Sequence, residues 1–292
     1  MNVIMTALPV ENAAVLEHLV DVRPHRHRGT VIDVGTVAGH PRHRVALVST
    51  GAGTAAAAAL TERVREEFAP SAMVFVGVAG GLRDWLEIGD VVVATKIYSY
   101  QGGRSENDAF LTRPSAWSAA HSLDQESRRL VRGNAWHSFL TDRGEGETPV
   151  AYFEPIAVGD VVLNSRTSEL AHRLRTSYND AVAVEMEGSG FAHAAHLGDQ
   201  VRAIVVRGIS DRADGDKAAA DRQGGQRLAA RNAAAFAIAL ITALEPDGDV
   251  PEDGGQEIAP PSGPMSNSNI ARDNARVDQQ IGFNFGSARR IR

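Results

Sequence analysis

Acidic side chains stand at the mouths of two apolar segments near the middle of the chain, Ala183-Val184-Glu185-Met186-Glu187-Gly188 and Val205-Val206-Arg207-Gly208-Ile209-Ser210-Asp211. The second run continues Arg202-Ala203-Ile204-Val205-Val206, an apolar stretch that predicts a strand buried in a sheet. Asp211 then emerges at the carboxyl end of that strand, where open α/β sheets collect their ligands, and a carboxyl group there is placed to do proton chemistry. Glu11 lies just past the first strand at the start of a helix, where the helix dipole stabilises a carboxylate and capping is its simplest role. Two Gly-rich turns also follow strands. Ser49-Thr50-Gly51-Ala52-Gly53-Thr54 opens an Ala-rich helix, whose free N–H groups favour an anion or a polar ligand edge. Val76-Gly77-Val78-Ala79-Gly80-Gly81-Leu82 has residues small enough to let a flat ligand approach the backbone. Taken alone, each turn reads as a chain reversal. Taken with Glu11, Glu187 and Asp211, the turns complete a set of strand-end features that can converge on one pocket.

The elements that must position these groups are legible as an alternation of apolar strands and helical stretches from Met1 to about Leu244, which predicts an α/β layered domain. Strands are expected at 3–8, 31–37, 44–49, 73–78, 91–97, 158–163 and 201–206, all short and Val/Ile-rich. Helices are expected at 11–20, 54–68, 185–196 and 222–244, where Ala, Leu and charged residues recur at helical spacing. The expected fold is therefore α/β, a single layered domain with a twisted mixed central sheet flanked by helices, followed by a disordered linker and a short tail.

Composition limits the function classes. The chain has 292 residues, 43% hydrophobic and 23% charged, enough for one substantial core, and a formal charge of -6. That balance gives no electrostatic footprint for nucleic acid, and no apolar run approaches membrane-spanning length. Cys is absent, which removes disulfides and a thiolate nucleophile, and Met1-Asn2-Val3-Ile4-Met5 lacks the pattern of a signal peptide, so a cytoplasmic location is expected. Residues 245–265 are rich in Pro and Gly and carry six acids with no Lys or Arg, the composition of a solvated linker. Residues 266–292 change character again, with Asn, Gln, scattered apolar residues and five Arg against two Asp.

The order of Ala7-Leu8-Pro9-Val10-Glu11, the two Gly-rich turns, Val158-Gly159-Asp160, Val184-Glu185-Met186-Glu187-Gly188 and Val206-Arg207-Gly208-Ile209-Ser210-Asp211 resembles the nucleoside phosphorylase superfamily, most nearly the methylthioadenosine/S-adenosylhomocysteine nucleosidases. The resemblance implies roles by position. Asp211 would be the general acid that protonates N7 of a purine, with Ser210 as its hydrogen-bonded neighbour. Glu187 would bind the ribose hydroxyls and steady the positive charge growing on the sugar. Met186 would pack against the sugar face, Glu11 would orient the attacking water, and Arg207 would make a sugar-side or water-side contact. Ala79 and Gly80 would edge the ribosyl site, and Val161 and Val162 would flank the base. No metal or other cofactor is implied.

Phosphorylases of this superfamily generally supply Arg with Ser or Thr to hold phosphate. Val78 stands where a hydroxyl is common in them, and also departs from the Ser usual in the nucleosidases. Hydrolysis of a purine nucleoside or nucleotide is expected, with phosphate-dependent cleavage and a purine-sensing scaffold without turnover as alternatives. The stretch 99–155, longer than a minimal nucleosidase needs, would build a specificity wall or an oligomer contact. Arg23-Pro24-His25-Arg26-His27-Arg28 would meet a 5′ phosphate or be a solvated charged face.

The tail carries a second signal. From Asn274 to Gly286 apolar residues and amides repeat with little net charge and no Pro, a composition that stacks as in-register strands through amide ladders and a dry apolar zipper. Gln280-Ile281-Gly282 resembles the RIP homotypic interaction motif and related bacterial amyloid signalling motifs, with Val277, Phe283 and Phe285 as the other candidate zipper residues. The layout of enzyme domain, acidic tether and terminal motif implies an effector, a homo-oligomer by family resemblance, that is recruited by a sensor protein bearing a matching segment.

Overall fold

The structure is a computed structural model that describes residues 1–141, 148–198 and 201–246, all within the unit Met1–Asp249. In chain order the elements are β1 (Asn2–Thr6), α1 (Pro9–Leu16), β2 (Leu19–His27), β3 (Thr30–Val37), β4 (His40–Ser49), α2 (Thr54–Phe68), β5 (Ala72–Gly81) and β6 (Val91–Ser99). There follow β7 (Gly103–Ser105), β8 (Phe110–Thr112), β9 (Ser115–Ser118), α3 (His121–Arg132), a 3₁₀ turn (Ala135–Phe139), β10 (Ala151–Val158) and α4 (Glu169–Ser177). The chain continues through β11 (Ala183–Glu185), α5 (Gly188–Leu197), β12 (Arg202–Asp211), α6 (Lys217–Arg222) and α7 (Gly225–Ala243).

Ten strands form one mixed sheet in the order β11-β10-β6-β12-β5-β1-β4-β3-β2, with β9 added on β6. Its centre is parallel, β12-β5-β1-β4, and buried on both faces, which is why these segments read as continuous apolar runs. One face is covered by α1, α3 and α7, where Ala-rich α7 is buried almost continuously from Ala229 to Ile241. The other is covered by α2 and α5. The far end curls back on itself. β11 pairs in parallel with β10 and, through Ala183 and Val184, antiparallel with Gly81 and Gly80 at the end of β5. This closure brings the carboxyl ends of β5, β11 and β12 to one place. A register shift between Ile209 and Asp211 in the β12–β5 pairing adds a residue there and re-aims the end of β12.

The expected α/β architecture is therefore present, and α2 occupies the expected span. Other boundaries differ for physical reasons. The strand expected at 158–163 is β10, which ends at Val158, and the valines beyond it are solvent-facing. The helix expected from Glu185 begins at Gly188, because Ala183–Glu185 is a short strand. The first helix stops at Leu16, and β12 runs on to Asp211. The basic run 23–28 lies in β2, an edge strand whose Pro24 and charges suit a sheet border. Three of its side chains meet helix α2: His25 and His27 each lie 2.7 Å from Glu67, and Arg28 pairs with Glu66. The stretch 99–155 supplies β9, α3 and most of β10, and α3 gives Leu123 and Leu130 to the core.

Gly190 sets the approach of α5 to α2. A Cβ there would lie 1.9 Å from the carbonyl oxygen of Thr54. We expect Gly190→Ala to destabilise the domain by about 1–3 kcal/mol through overpacking, read as a lower urea midpoint at unchanged slope. An unchanged midpoint would contradict this account of the helix pair.

Candidate active site

Arg207 is the centre of the site. It projects from the middle of β12 and has 0% exposure. Its guanidinium carbon lies 4.7 Å from the Phe75 ring centroid. Nη2 donates to Glu185 and, at 3.5 Å, to Glu187 Oε2, while Nη1 sits 4.0 Å from Glu11 Oε1. Among the described residues Nε and Nη1 have no hydrogen-bond partner. The neighbouring strand must be bare at this level: a Cβ on Gly77 of β5 would fall 1.8 Å from Nη1 and 2.7 Å from Glu11 Oε1. One buried guanidinium thus meets three buried acidic side chains.

Each carboxylate is also fixed by backbone donors. Glu11 Oε2 accepts from the N–H groups of Ala7 and Leu8 at 2.8 Å, which is the capping role read from sequence, and Oε1 accepts from Val78 N–H at 2.8 Å. It therefore ties α1 to the second Gly-rich turn. Glu185 accepts from Glu187 N–H at 3.1 Å and Gly188 N–H at 2.8 Å, holding the turn from β11 into α5. Glu187 accepts from Gly53 N–H at 3.0 Å, and Asp160 accepts from Thr54 N–H at 2.9 Å. Two of the donors at the start of α2, the N–H groups of Gly53 and Thr54, are thus met by these side chains. Burial raises the pKa of Glu11, with Arg207 and the backbone donors pulling the other way. Burial likewise pushes Glu185 up to about 7 against the opposing pull of Arg207.

Asp211 is buried at the end of β12. Ser210 Oγ donates to its Oδ2 at 2.9 Å, and Ala213 N–H donates to its Oδ1 at 2.9 Å. Gly80 lies directly beneath: a Cβ there would be 3.0 Å from Asp211 Oδ1. Ala79 is buried, and its carbonyl accepts from Ser210 Oγ at 3.4 Å. Met186 is half-buried between Glu185 of β11 and Glu187 in the turn before α5. Val161 and Val162 are 46% and 58% exposed, on the segment that leaves β10, where the Val161 carbonyl accepts from Tyr100 Oη at 3.3 Å. Glu11, Glu187 and Arg207 are thus gathered into one cluster, and Asp211, Ser210, Ala79 and Gly80 into an adjoining one on the same strand ends. The tail positions Val277, Gln280, Ile281, Gly282, Phe283 and Phe285 lie outside the described residues. Sequence reasoning passed over Glu185, Gly77 and Phe75. Glu185 had a signal, since it stands two residues before Glu187 in the same run.

The phosphorylase superfamily model matches residues 2–242. The chain belongs to this superfamily. A member from Mycobacterium bovis, a 5′-methylthioadenosine/S-adenosylhomocysteine nucleosidase, is 28% identical over 232 residues, covering 73% of this chain and 86% of that protein. ATP nucleosidase Cap17 of Escherichia coli is 26% identical over 234 residues, 73% of this chain and 46% of Cap17. The present chain therefore aligns with about half the length of that superfamily relative. Among solved structures, the 5′-methylthioadenosine/S-adenosylhomocysteine nucleosidase of Neisseria meningitidis, in complex with methylthio-immucillin-A, shares the fold with a TM-score of 0.70 at 23% identity, covering 83% of this chain and 99% of that one. Among the described residues no group of His, Asp and Glu has the arrangement of a metal site, and no helix is long and apolar enough to cross a membrane.

The raised pKa of Glu185 has a signed consequence for stability. A carboxyl group whose folded value exceeds its ordinary 4.5 favours the fold while protonated, so this stabilisation is complete below 4.5 and is lost as pH rises to about 7. Glu185→Gln removes that ionisation. We expect the variant's unfolding free energy to fall less steeply than the wild type's across this window. Parallel curves from urea titrations at several pH values would refute it.

Proposed function

We propose that the chain is a purine N-glycosidase that releases the base of a purine nucleoside or nucleotide to water. The observation that carries this reading is the state of Arg207. The cation at the centre of the site is engaged by Glu185 and Glu187 and faces Glu11, so the surroundings are anionic and suit an oxocarbenium-like sugar better than a phosphate dianion. In the reaction the bond from C1′ to N9 breaks and its electron pair passes into the purine, whose N7 takes the proton of Asp211. Water adds to C1′ and gives a proton to Glu11. The Ser210 hydroxyl can donate or accept, so it stays bonded to Asp211 in either protonation state. The raised pKa of Glu11 brings a carboxylate closer to the range useful for a base near neutrality. Glu187, held by Gly53 N–H, would receive the ribose hydroxyls, with Met186 on the sugar face. Ala79 and Gly80 would edge the ribosyl site, and Val161 and Val162 would lie beside the base. The nucleosidase names of the Mycobacterium bovis and Escherichia coli relatives support the same chemistry.

Chromatography of products from methylthioadenosine, S-adenosylhomocysteine, adenosine, inosine, AMP and ATP, with and without phosphate, tests the proposal. Free base and free sugar without phosphate are expected. A sugar 1-phosphate formed only with phosphate would replace hydrolysis by phosphorolysis. Asp211→Asn should lower base release by about 10²–10⁴-fold with the fold retained.

Residues 266–292 are proposed as an assembly segment, on the strength of their sequence alone, that stacks with a matching segment of a sensor protein and gathers enzyme domains, themselves homo-oligomeric, into an effector assembly. Deleting 266–292 should abolish co-sedimentation with such a segment and leave turnover of free nucleoside intact. Unchanged co-sedimentation would end this part of the proposal.

A further inference from the structure

Beyond the carboxylate cluster, a cleft of about 370 Å³ opens between the end of β5, α4 and the residues after β12, within the roughly 300–1,000 Å³ typical of small-molecule sites. Its lining is unusual for a chain of formal charge -6. Arg83, Arg166, Arg175 and Arg212 are four of its lining residues, and Asp84 is the one acidic residue among them. Two of the cations have exposed acidic partners: Arg166 pairs with Asp84 at 2.5 Å and Arg212 with Glu87 at 2.7 Å. The other two bind only backbone oxygen in the hydrogen bonds found, Arg83 to the carbonyl of Asn179 and Arg175 to that of Arg166 at 2.7 Å. Carbonyls orient these side chains without neutralising them. Tyr178 also lines the cleft, and its buried hydroxyl has no hydrogen-bond partner among the described residues. At the rim Trp85 is 47% exposed, with its ring braced on Tyr152 at 4.8 Å between centroids.

Four arginines along one cleft call for a ligand with several anionic oxygens, because planar donors match phosphate in pairs and a single anion would engage only part of the set. The exposed indole offers a face on which a flat ring can stack. We propose that this cleft is a second binding site, for a nucleoside di- or triphosphate, distinct from the site of base release. The two adjoin at Ala213. Gly81 and Ala213 line the cleft, and a Cβ on Gly80 would lie 3.3 Å from Ala213 Cβ and 3.0 Å from Asp211 Oδ1. The Ala213 N–H that holds Asp211 Oδ1 thus belongs to a lining residue of the cleft.

The test uses the full chain carrying Asp211→Asn, so that nothing is consumed, and measures binding of ADP and of inorganic diphosphate by calorimetry at low salt. Both should bind, with ADP at least tenfold tighter. Adding Arg166→Ala and Arg175→Ala should weaken both by tenfold or more at unchanged thermal midpoint, and adding Glu187→Gln should leave them unchanged. Absence of binding would overturn the proposal. So would affinity that survives the arginine changes and falls with Glu187→Gln, which would assign the anion to the ribosyl site. Equal affinity for ADP and diphosphate would overturn the stacking role of Trp85. The readout is binding, so its outcome is separate from whether the chain hydrolyses any nucleoside.

Discussion

A buried guanidinium is the constraint around which the rest of this molecule is arranged. Removing one charge from water costs several kcal/mol even after relaxation, and that cost is met only when partners are close and well oriented. Arg207 has Glu185 and Glu187 as hydrogen-bonded partners, Glu11 nearby and the Phe75 ring against its face. Those partners come from α1, β5, β11 and the turn before α5, so ordering them recruits most of one end of the sheet. Gly77 is the negative image of the same requirement, a strand position kept free of side chain so the guanidinium can lie across it. Loss of any one carboxylate leaves a buried cation less compensated, which couples the stability of the domain to the groups proposed to handle water and ribose.

The topology explains how residues so far apart in sequence meet. A flat sheet would leave β11 as an edge strand next to β10. Here the sheet curls until β11 also pairs with the end of β5, and the carboxyl ends of three strands share a rim. Closure delivers Glu185 and Glu187 opposite Arg207, and the register shift before Asp211 turns the end of β12 toward Gly80. The site is thus held by strand ends and helix starts, with backbone N–H groups fixing each of Glu11, Glu185, Glu187 and Asp211, an arrangement that gives the groups proposed for catalysis little freedom to reorganise.

Much of this was legible in the sequence, for reasons that can be named. Buried parallel strands announce themselves by unbroken Val and Ile, and α2 by alanine flanked by charge, so the layered α/β fold and the strand ends bearing Glu11 and Asp211 follow from local pattern. Glu185 was harder: its importance comes from a partner twenty-two positions away and from a three-residue strand too short to leave a period. Valine misled at 161 and 162, because periodicity reports apolar character and these two side chains face solvent after the sheet has ended. At the basic run 23–28, His25, His27 and Arg28 meet Glu66 and Glu67 of α2, a contact across about forty residues that composition does not encode, while Arg23 and Arg26 form an exposed charged face.

The two charged regions of the domain divide the chemistry between them. Around Arg207 the carboxylates outnumber the cation, and each sits in a low-dielectric position where its field is weakly screened. In the proposed reaction a sugar that gains positive charge as its base departs would be stabilised there, and a multiply charged anion would be repelled. Around the cleft behind Asp211 the balance is reversed, with four guanidiniums and one lining carboxylate. Gly80, Asp211 and Ala213 meet where the two regions adjoin: the Ala213 N–H is bonded to Asp211, and a Cβ on Gly80 would touch both residues. A ligand seated on the cationic side would therefore lie against a residue that holds Asp211 in place.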